Sequence, residues 1–170
     1  RIRKTLLFLN EYETFMSYLV EDINKFIKEC VKLNKLPCLR LNGTSDIQWE
    51  HQEYKGKTVF EMFPQIQFYD YTKTPTRKVE GITNYHLTWS YSEANEKYSK
   101  LFDTIPYNKA VVFRNLLPSM FKDVKVIDGD EHDMRFLDEP NVVVGLKAKG
   151  KAKKDYSGFV IDNLIKARTI

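Results

Sequence analysis

The chain has 170 residues, 42% of them hydrophobic and 29% charged, with a formal net charge of +4. This balance excludes a disordered chain and fits a single α/β domain over residues 1–170 with one core. Two cysteines, Cys30 and Cys38, are too few for a disulfide framework, and no apolar stretch reaches the roughly 20 residues that span a bilayer, so a reducing compartment and no membrane are expected.

Ile2 to Leu9 already reads as helix, and the first residue is Arg1, which predicts that an N-terminal segment precedes this chain. From Tyr12 the apolar positions Phe15, Met16, Leu19, Val20, Ile23, Phe26, Ile27, Cys30 and Val31 follow the spacing of one helix face. Asn10, three residues before Glu13, is the expected cap, and Pro37 blocks the helix beyond Leu36.

Strand-like runs then follow at Pro37 to Asn42, Gln65 to Tyr71, Tyr85 to Ser90, Lys109 to Phe113, Val124 to Asp128 and Asn141 to Lys147. Helices are expected between them at Val59 to Phe63, Ser92 to Phe102 and Leu116 to Phe121. Tight hairpin signals are scarce, because Asn42-Gly43 leads into a long polar loop. The expected class is therefore α/β, with mostly parallel strands joined by crossover helices into a partial (β/α) barrel.

Side chains alternate between faces along a strand, which predicts that Arg40, Asn42, Gln67, Tyr69, His86 and Thr88 share one polar face. Two architectures satisfy this pattern. One is a half-open barrel whose interior receives a polar ligand, and the other is an open sheet with one face in water.

The loop Asn42 to Glu50 gathers Asn42, Asp46 and Trp49 after a strand, where α/β folds place ligands, and its expected neighbours are Tyr69, Asp70 and His86. As an exposed rim carboxylate, Asp46 would cost little stability when replaced; as a helix cap it would cost more. Tyr69, Asp70 and Lys73 end the next strand with a phenol, an acid and an ammonium, a set suited to a base and its phosphate or to a plain surface pair. His86 on the polar face is a candidate base, or a hydrogen-bonded interior histidine. Asp46, Asp70 and His86 are the expected catalytic groups.

The run Asp128-Gly129-Asp130 reads as a turn with its acids bonded to nearby amides rather than as a metal site, and no metal ligand set is expected. Lys147, Lys149, Lys151, Lys153 and Lys154 form a basic cluster, either a solvated loop or a phosphate contact, with Lys149 and Lys151 as candidate ligand-binding residues.

The segments RLNGTSDIQWE, FPQIQFYDYTKTPTRK, NYHLTWSYSEAN, AVVF, VIDGDEHDMRFLDEP and VVVGLKAKGKAKKDYSGFV, in this order, resemble the successive blocks of the phage gene product 88 family. The resemblance implies a phage origin, a place in the host cytoplasm and no established activity. It also implies a distant similarity to the partial barrels of radical S-adenosylmethionine enzymes, although the Cys-rich start of longer members is not in this chain. Two functions are expected on this basis. One is an enzyme-like partial barrel binding a nucleotide-like or nucleic-acid ligand, with no cofactor assigned. The other is a non-catalytic phage binding protein that engages a host protein or nucleic acid, with counter-defence as one role.

Overall fold

The helical periodicity of the N-terminal region is realised as α1 (Ile2–Asn10) and α2 (Tyr12–Lys32) in a computed structural model that describes residues 2–163. Asn10 does not cap α2. The Glu11 amide donates to the Leu7 carbonyl at 2.8 Å and the Phe15 amide to Glu11 at 2.9 Å, so helical bonding runs across the junction. Nor does Pro37 end the helix: it stops at Leu33, where Asn34 enters the left-handed region at φ 52° and the Lys35 amide returns to the Cys30 carbonyl.

The chain packs as two compact units interleaved in sequence, the first from residues 2–41, 47–68 and 79–85 and the second from 42–46, 69–78 and 86–163. In the first, Met16, Ile23 and Cys30 form the buried side of α2. Two short strands follow, β1 (Cys38–Leu39) and then β2 (Glu53–Tyr54), which pairs antiparallel with β3 (Lys57–Thr58). The turn between β2 and β3 is Lys55-Gly56, both at positive φ (52° and 74°), the mirror-image geometry that twists correctly for a hairpin. Thr58 and Glu61 then cap α3 (Val59–Met62) reciprocally, which fixes its start immediately after the strand.

β4 (Gln67–Thr72) pairs parallel with β1, Cys38 opposite Gln67 and Leu39 opposite Phe68. Phe60 of α3 stacks on Tyr85 with ring centres 4.2 Å apart and meets Phe68 edge-on at 5.1 Å. Asn84 ties this region together: its Nδ2 donates to the carbonyls of Phe60, Phe63 and Ile66, each at 3.2 Å.

Parallel pairing dominates the second unit. β5 (Tyr85–Ser90) lies beside β6 (Asn108–Phe113), with Thr88 opposite Asn108 and Trp89 opposite Lys109. Between them the expected helix Ser92 to Phe102 contracts to α4 (Glu96–Ser99), started by an Asn95 cap. The expected helix Leu116 to Phe121 is not formed. Its end is strand β7 (Met120–Phe121), turned by Lys122 and Asp123 at positive φ into antiparallel β8 (Val124–Asp128). β9 (Val143–Lys147) runs parallel between β6 and β8, and β10 (Val160–Ile161) pairs with the C-terminal end of β6.

The eight-stranded sheet follows the order β1-β4-β5-β6-β9-β8-β7, with β10 added at β6. It does not close into a barrel, so the α/β class with mostly parallel strands stands in its open form. On one face of β5, β6 and β9 a buried cluster of Trp89, Tyr91, Phe102, Ile105, Val111, Phe113, Val143 and Ile161 forms the main core of this unit. No helix among the described residues is long and apolar enough to cross a membrane.

Candidate functional site

The loop after β1 and the end of β4 are brought together, and their carboxylates hold backbone. Asp70, fully buried, accepts from the Asn42 amide at 2.7 Å and from Asn42 Nδ2 at 3.2 Å, while Asn42 Oδ1 accepts from Ser45 Oγ at 2.8 Å. Asp46 Oδ2 accepts from the Lys73 amide at 2.8 Å, and its Oδ1 pairs at 3.2 Å with Nη1 of Arg77, whose side chain has no exposure. The Arg77 carbonyl in turn accepts from Tyr107 Oη at 2.7 Å. These bonds give Asp46 and Asp70 the work of fixing loop 42–46 against residues 70–77. Trp49 belongs to the first unit, where it is 3% exposed and packs against Phe8 and Phe15.

Gln67 and Tyr69 of β4 alternate onto one polar face with His86 and Thr88 of β5, while Arg40 lies past the end of β1. The Phe68 amide bonds to the Asn84 carbonyl, which sets Phe68 beside Tyr85 and therefore Tyr69 beside His86 on the opposite face. Asn42 departs from it, because past the end of β1 the backbone turns and its amide group reaches Asp70, which alternates with Tyr69 and Tyr71.

Residues 129–142 make contacts across this face, on which Tyr69, Tyr71 and His86 remain half-buried. Asp133 accepts from Tyr71 Oη at 3.1 Å, Phe136 packs on Tyr69 with ring centres 5.6 Å apart, and the Glu139 carbonyl accepts from Asn108 Nδ2 at 2.9 Å. Burial, and then the charge of Arg135, push the His86 imidazole below its ordinary pKa.

A recess of about 230 Å³ opens elsewhere in the second unit, lined by Lys73, Trp89, Ser90, Ser92, Asn95 and Tyr98. Lys73 directly follows β4 and Trp89-Ser90 ends β5, so the recess lies at carboxyl ends of parallel strands. Trp89 is 1% exposed, and its Nε1 has no hydrogen-bond partner among the described residues. The segment around Gly158 is held close by: its carbonyl accepts from the Glu93 amide at 2.9 Å and from Ser92 Oγ at 3.4 Å. Only glycine fits there, since φ is +94° and a Cβ would lie 2.7 Å from the Ala94 nitrogen. Phe159 then places its ring 5.6 Å from Lys73 Nζ.

Of the residues expected from sequence, Lys73 alone lines this recess. Trp89, Ser92, Asn95 and Tyr98 were not expected, and the available signal was the run Trp89-Ser-Tyr-Ser92 leading from a strand into an Asn cap.

The basic cluster is partly neutralised. Lys147 Nζ lies 3.0 Å from Asp128 and Lys149 Nζ 2.8 Å from Asp130, across the turn at Gly129. As expected, the acids also bond amides, Asp128 that of Asp130 and Asp130 that of Lys147. The Asp130 amide, then Lys147, holds the Asp128 carboxyl below its usual pKa, and Lys149 does the same for Asp130. Lys151, Lys153 and Lys154 remain exposed on a single turn of 3-10 helix, Gly150–Lys154.

Compared with known proteins, residues 1–163 match the family model described as gene product 88. No curated protein matches the chain, and no solved structure does.

Proposed function

From the premise that this chain belongs to the gene product 88 family of phage proteins, we propose that it is an enzyme-like binder of a nucleotide-like small molecule, held in the recess beside Lys73 and Trp89. The observation that carries the reading is the lining itself. It offers an ammonium for phosphate, a phenol for a ring, and hydroxyl and amide groups for polar edges, with the edge of Trp89 at its floor. A cavity of about 230 Å³ is smaller than the roughly 300–1,000 Å³ typical of drug-sized ligands, which favours one nucleotide unit over a polymer. The reading names no reaction. It routes no step through an iron–sulfur cluster, since the two cysteines of this chain do not make up such a cluster's thiolate set.

The test uses fluorescence. Trp49 and Trp89 are the only tryptophans, so Trp49→Phe leaves Trp89 as the reporter. Titration with nucleosides and nucleoside monophosphates should change its emission saturably, and Lys73→Ala should weaken the phosphorylated ligands more than the nucleosides. Absence of binding at millimolar concentration, or an equal effect of Lys73→Ala on both classes, refutes the reading.

The second reading, a non-catalytic protein that contacts host protein or nucleic acid in the host cytoplasm, is favoured by the three exposed lysines on the turn Gly150–Lys154. Replacing Lys151, Lys153 and Lys154 with Ala should then weaken nucleic-acid binding uniformly across sequences and flatten its salt dependence.

A further inference from the structure

A short, clasped stretch of chain joins the basic turn Gly150–Lys154 to the recess at Lys73. Arg114, which follows β6, donates through Nη1 to the Lys153 carbonyl and through Nη2 to that of Asp155, and its Nε pairs with Asp162 at 3.1 Å. Beyond Asp155 the chain reaches Gly158, whose carbonyl accepts from the Glu93 amide and Ser92 Oγ, and then Phe159, whose ring lies against Lys73 Nζ. Ser92 and Lys73 line the recess. Both ends of the stretch are therefore tied by bonds within the second unit, one at the basic turn and the other at the recess. Gly158 follows Lys154 by four residues, which limits their separation to about 14 Å.

Tyr156 stands midway along this stretch and is 80% exposed. The Arg114 guanidinium lies over its ring at 4.2 Å from the centre, so the ring is supported on one face and open to solvent on the other. The acids nearby are engaged: Asp155 accepts from the amide and hydroxyl of Ser157, and Asp162 from Arg114. Lys151, Lys153 and Lys154, unlike Lys147 and Lys149, pair with no acid among the described residues.

We propose that this surface binds the end of a single-stranded nucleic acid. The terminal nucleotide enters the recess with its phosphate on Lys73, a following base stacks on the open face of Tyr156, and Lys151, Lys153 and Lys154 take further phosphates. The inference rests on the reading of the recess as a nucleotide site. A recess of about 230 Å³ admits one unit and leaves the rest of a strand outside. Just outside are an exposed ring and unpaired cations, the combination that tracks a single strand. The distance of about 14 Å from Gly158 to Lys154 accommodates about four stacked nucleotides at roughly 3.4 Å each.

Trp89 emission in the Trp49→Phe protein reads the test. The probes are thymidine monophosphate and a short oligothymidylate with a 5′ phosphate, with a 3′ phosphate, or with neither. One phosphorylated strand should bind about tenfold or more tighter than the monophosphate, because a stack and phosphate contacts add to the recess. Tyr156→Ala should narrow that ratio about fivefold or more, the low end for a base–aromatic stack, and Tyr156→Phe should keep it. Replacing Lys151, Lys153 and Lys154 with Ala should narrow it too and flatten its salt dependence. Saturable binding of the monophosphate with no gain for either strand, or a gain that Tyr156→Ala leaves intact, overturns the inference and keeps the recess as a nucleotide site. Failure of every probe to alter the emission overturns both. A strand without a terminal phosphate that binds equally well, or strand binding that survives Lys73→Ala unchanged, also overturns the inference, by taking the strand's end out of the recess.

Discussion

Asn84 offers a sharp test of how the first unit is held, because one amide nitrogen serves the carbonyls of Phe60, Phe63 and Ile66. Its two hydrogens are shared among three acceptors, so Asn84→Ala removes about two net hydrogen bonds, worth about 2 kcal/mol together. Asn84→Asp keeps the shape and replaces the donor with an oxygen that faces three carbonyl oxygens. That repulsion should add about another 1–2 kcal/mol at neutral pH. The introduced carboxyl then has a folded pKa above its unfolded value of roughly 3.9. For an acid shifted upward, the penalty is absent below the unfolded pKa and complete above the folded one. Urea unfolding followed by circular dichroism, from pH 7 down to about 4.5, should show Asn84→Asp as the less stable variant at pH 7 and the gap to Asn84→Ala closing as pH falls. Equal midpoints at pH 7, or a gap indifferent to pH, would refute the donor argument.

Gly129→Ala should lower stability by about 1–3 kcal/mol in urea unfolding, since the added methyl would lie 2.4 Å from Val144 Cγ1 and 3.0 Å from Leu146 Cδ2; an unchanged midpoint would show that this packing gives way freely. Asp46→Asn should cost about 2 kcal/mol in the same assay, because Asp46 holds the Lys73 amide and pairs with the buried Arg77 guanidinium; a midpoint within experimental error of the parent would restore Asp46 as an open rim residue. Lys109 is 8% exposed, donates to the Ile105 carbonyl at 2.9 Å and has its pKa lowered by burial. The unfolded state therefore holds its proton more tightly, so the parent should gain stability relative to Lys109→Met as pH rises from about 8 to about 10; parallel pH profiles would contradict this.

The elements legible in sequence are those whose signal is local. Tyr85–Ser90 and Val124–Asp128 were bounded correctly because β-branched and aromatic runs end at turn-forming residues. The hairpin at Lys55-Gly56 was passed over because its first turn residue is a lysine, which reaches positive φ without the usual Asn or Asp signature. Leu116 to Phe121 read as helix because nothing nearby announces that Lys122 and Asp123 turn back into a partner strand.

At the site, strand alternation was enough to find the face shared by Tyr69, His86 and Thr88. It gave no sign of what contacts that face: Arg135 is a charged residue that opens a short 3-10 turn, Arg135–Leu137, where burial is decided by contacts distant in sequence. Asp46, Asp70 and Trp49 carry reactive or aromatic groups that sequence reads as a ligand site. Their partners, Arg77, Asn42 and Phe15, spend those groups on holding the chain together.

The pairing of β10 with β6 bears on how the protein is made. Ile161 belongs to the same buried cluster as Trp89, Phe102 and Val143. A ribosome emits the chain from one end, so this cluster has no complete set of members until Ile161 has left the exit tunnel. At roughly 5–20 residues per second, about 4–15 s separate the emergence of Tyr85 from that of Ile161. During that interval the first unit has all its residues while β6 waits with one edge partly open. Nascent chains paused before Ile161 should therefore be the ones most dependent on chaperones.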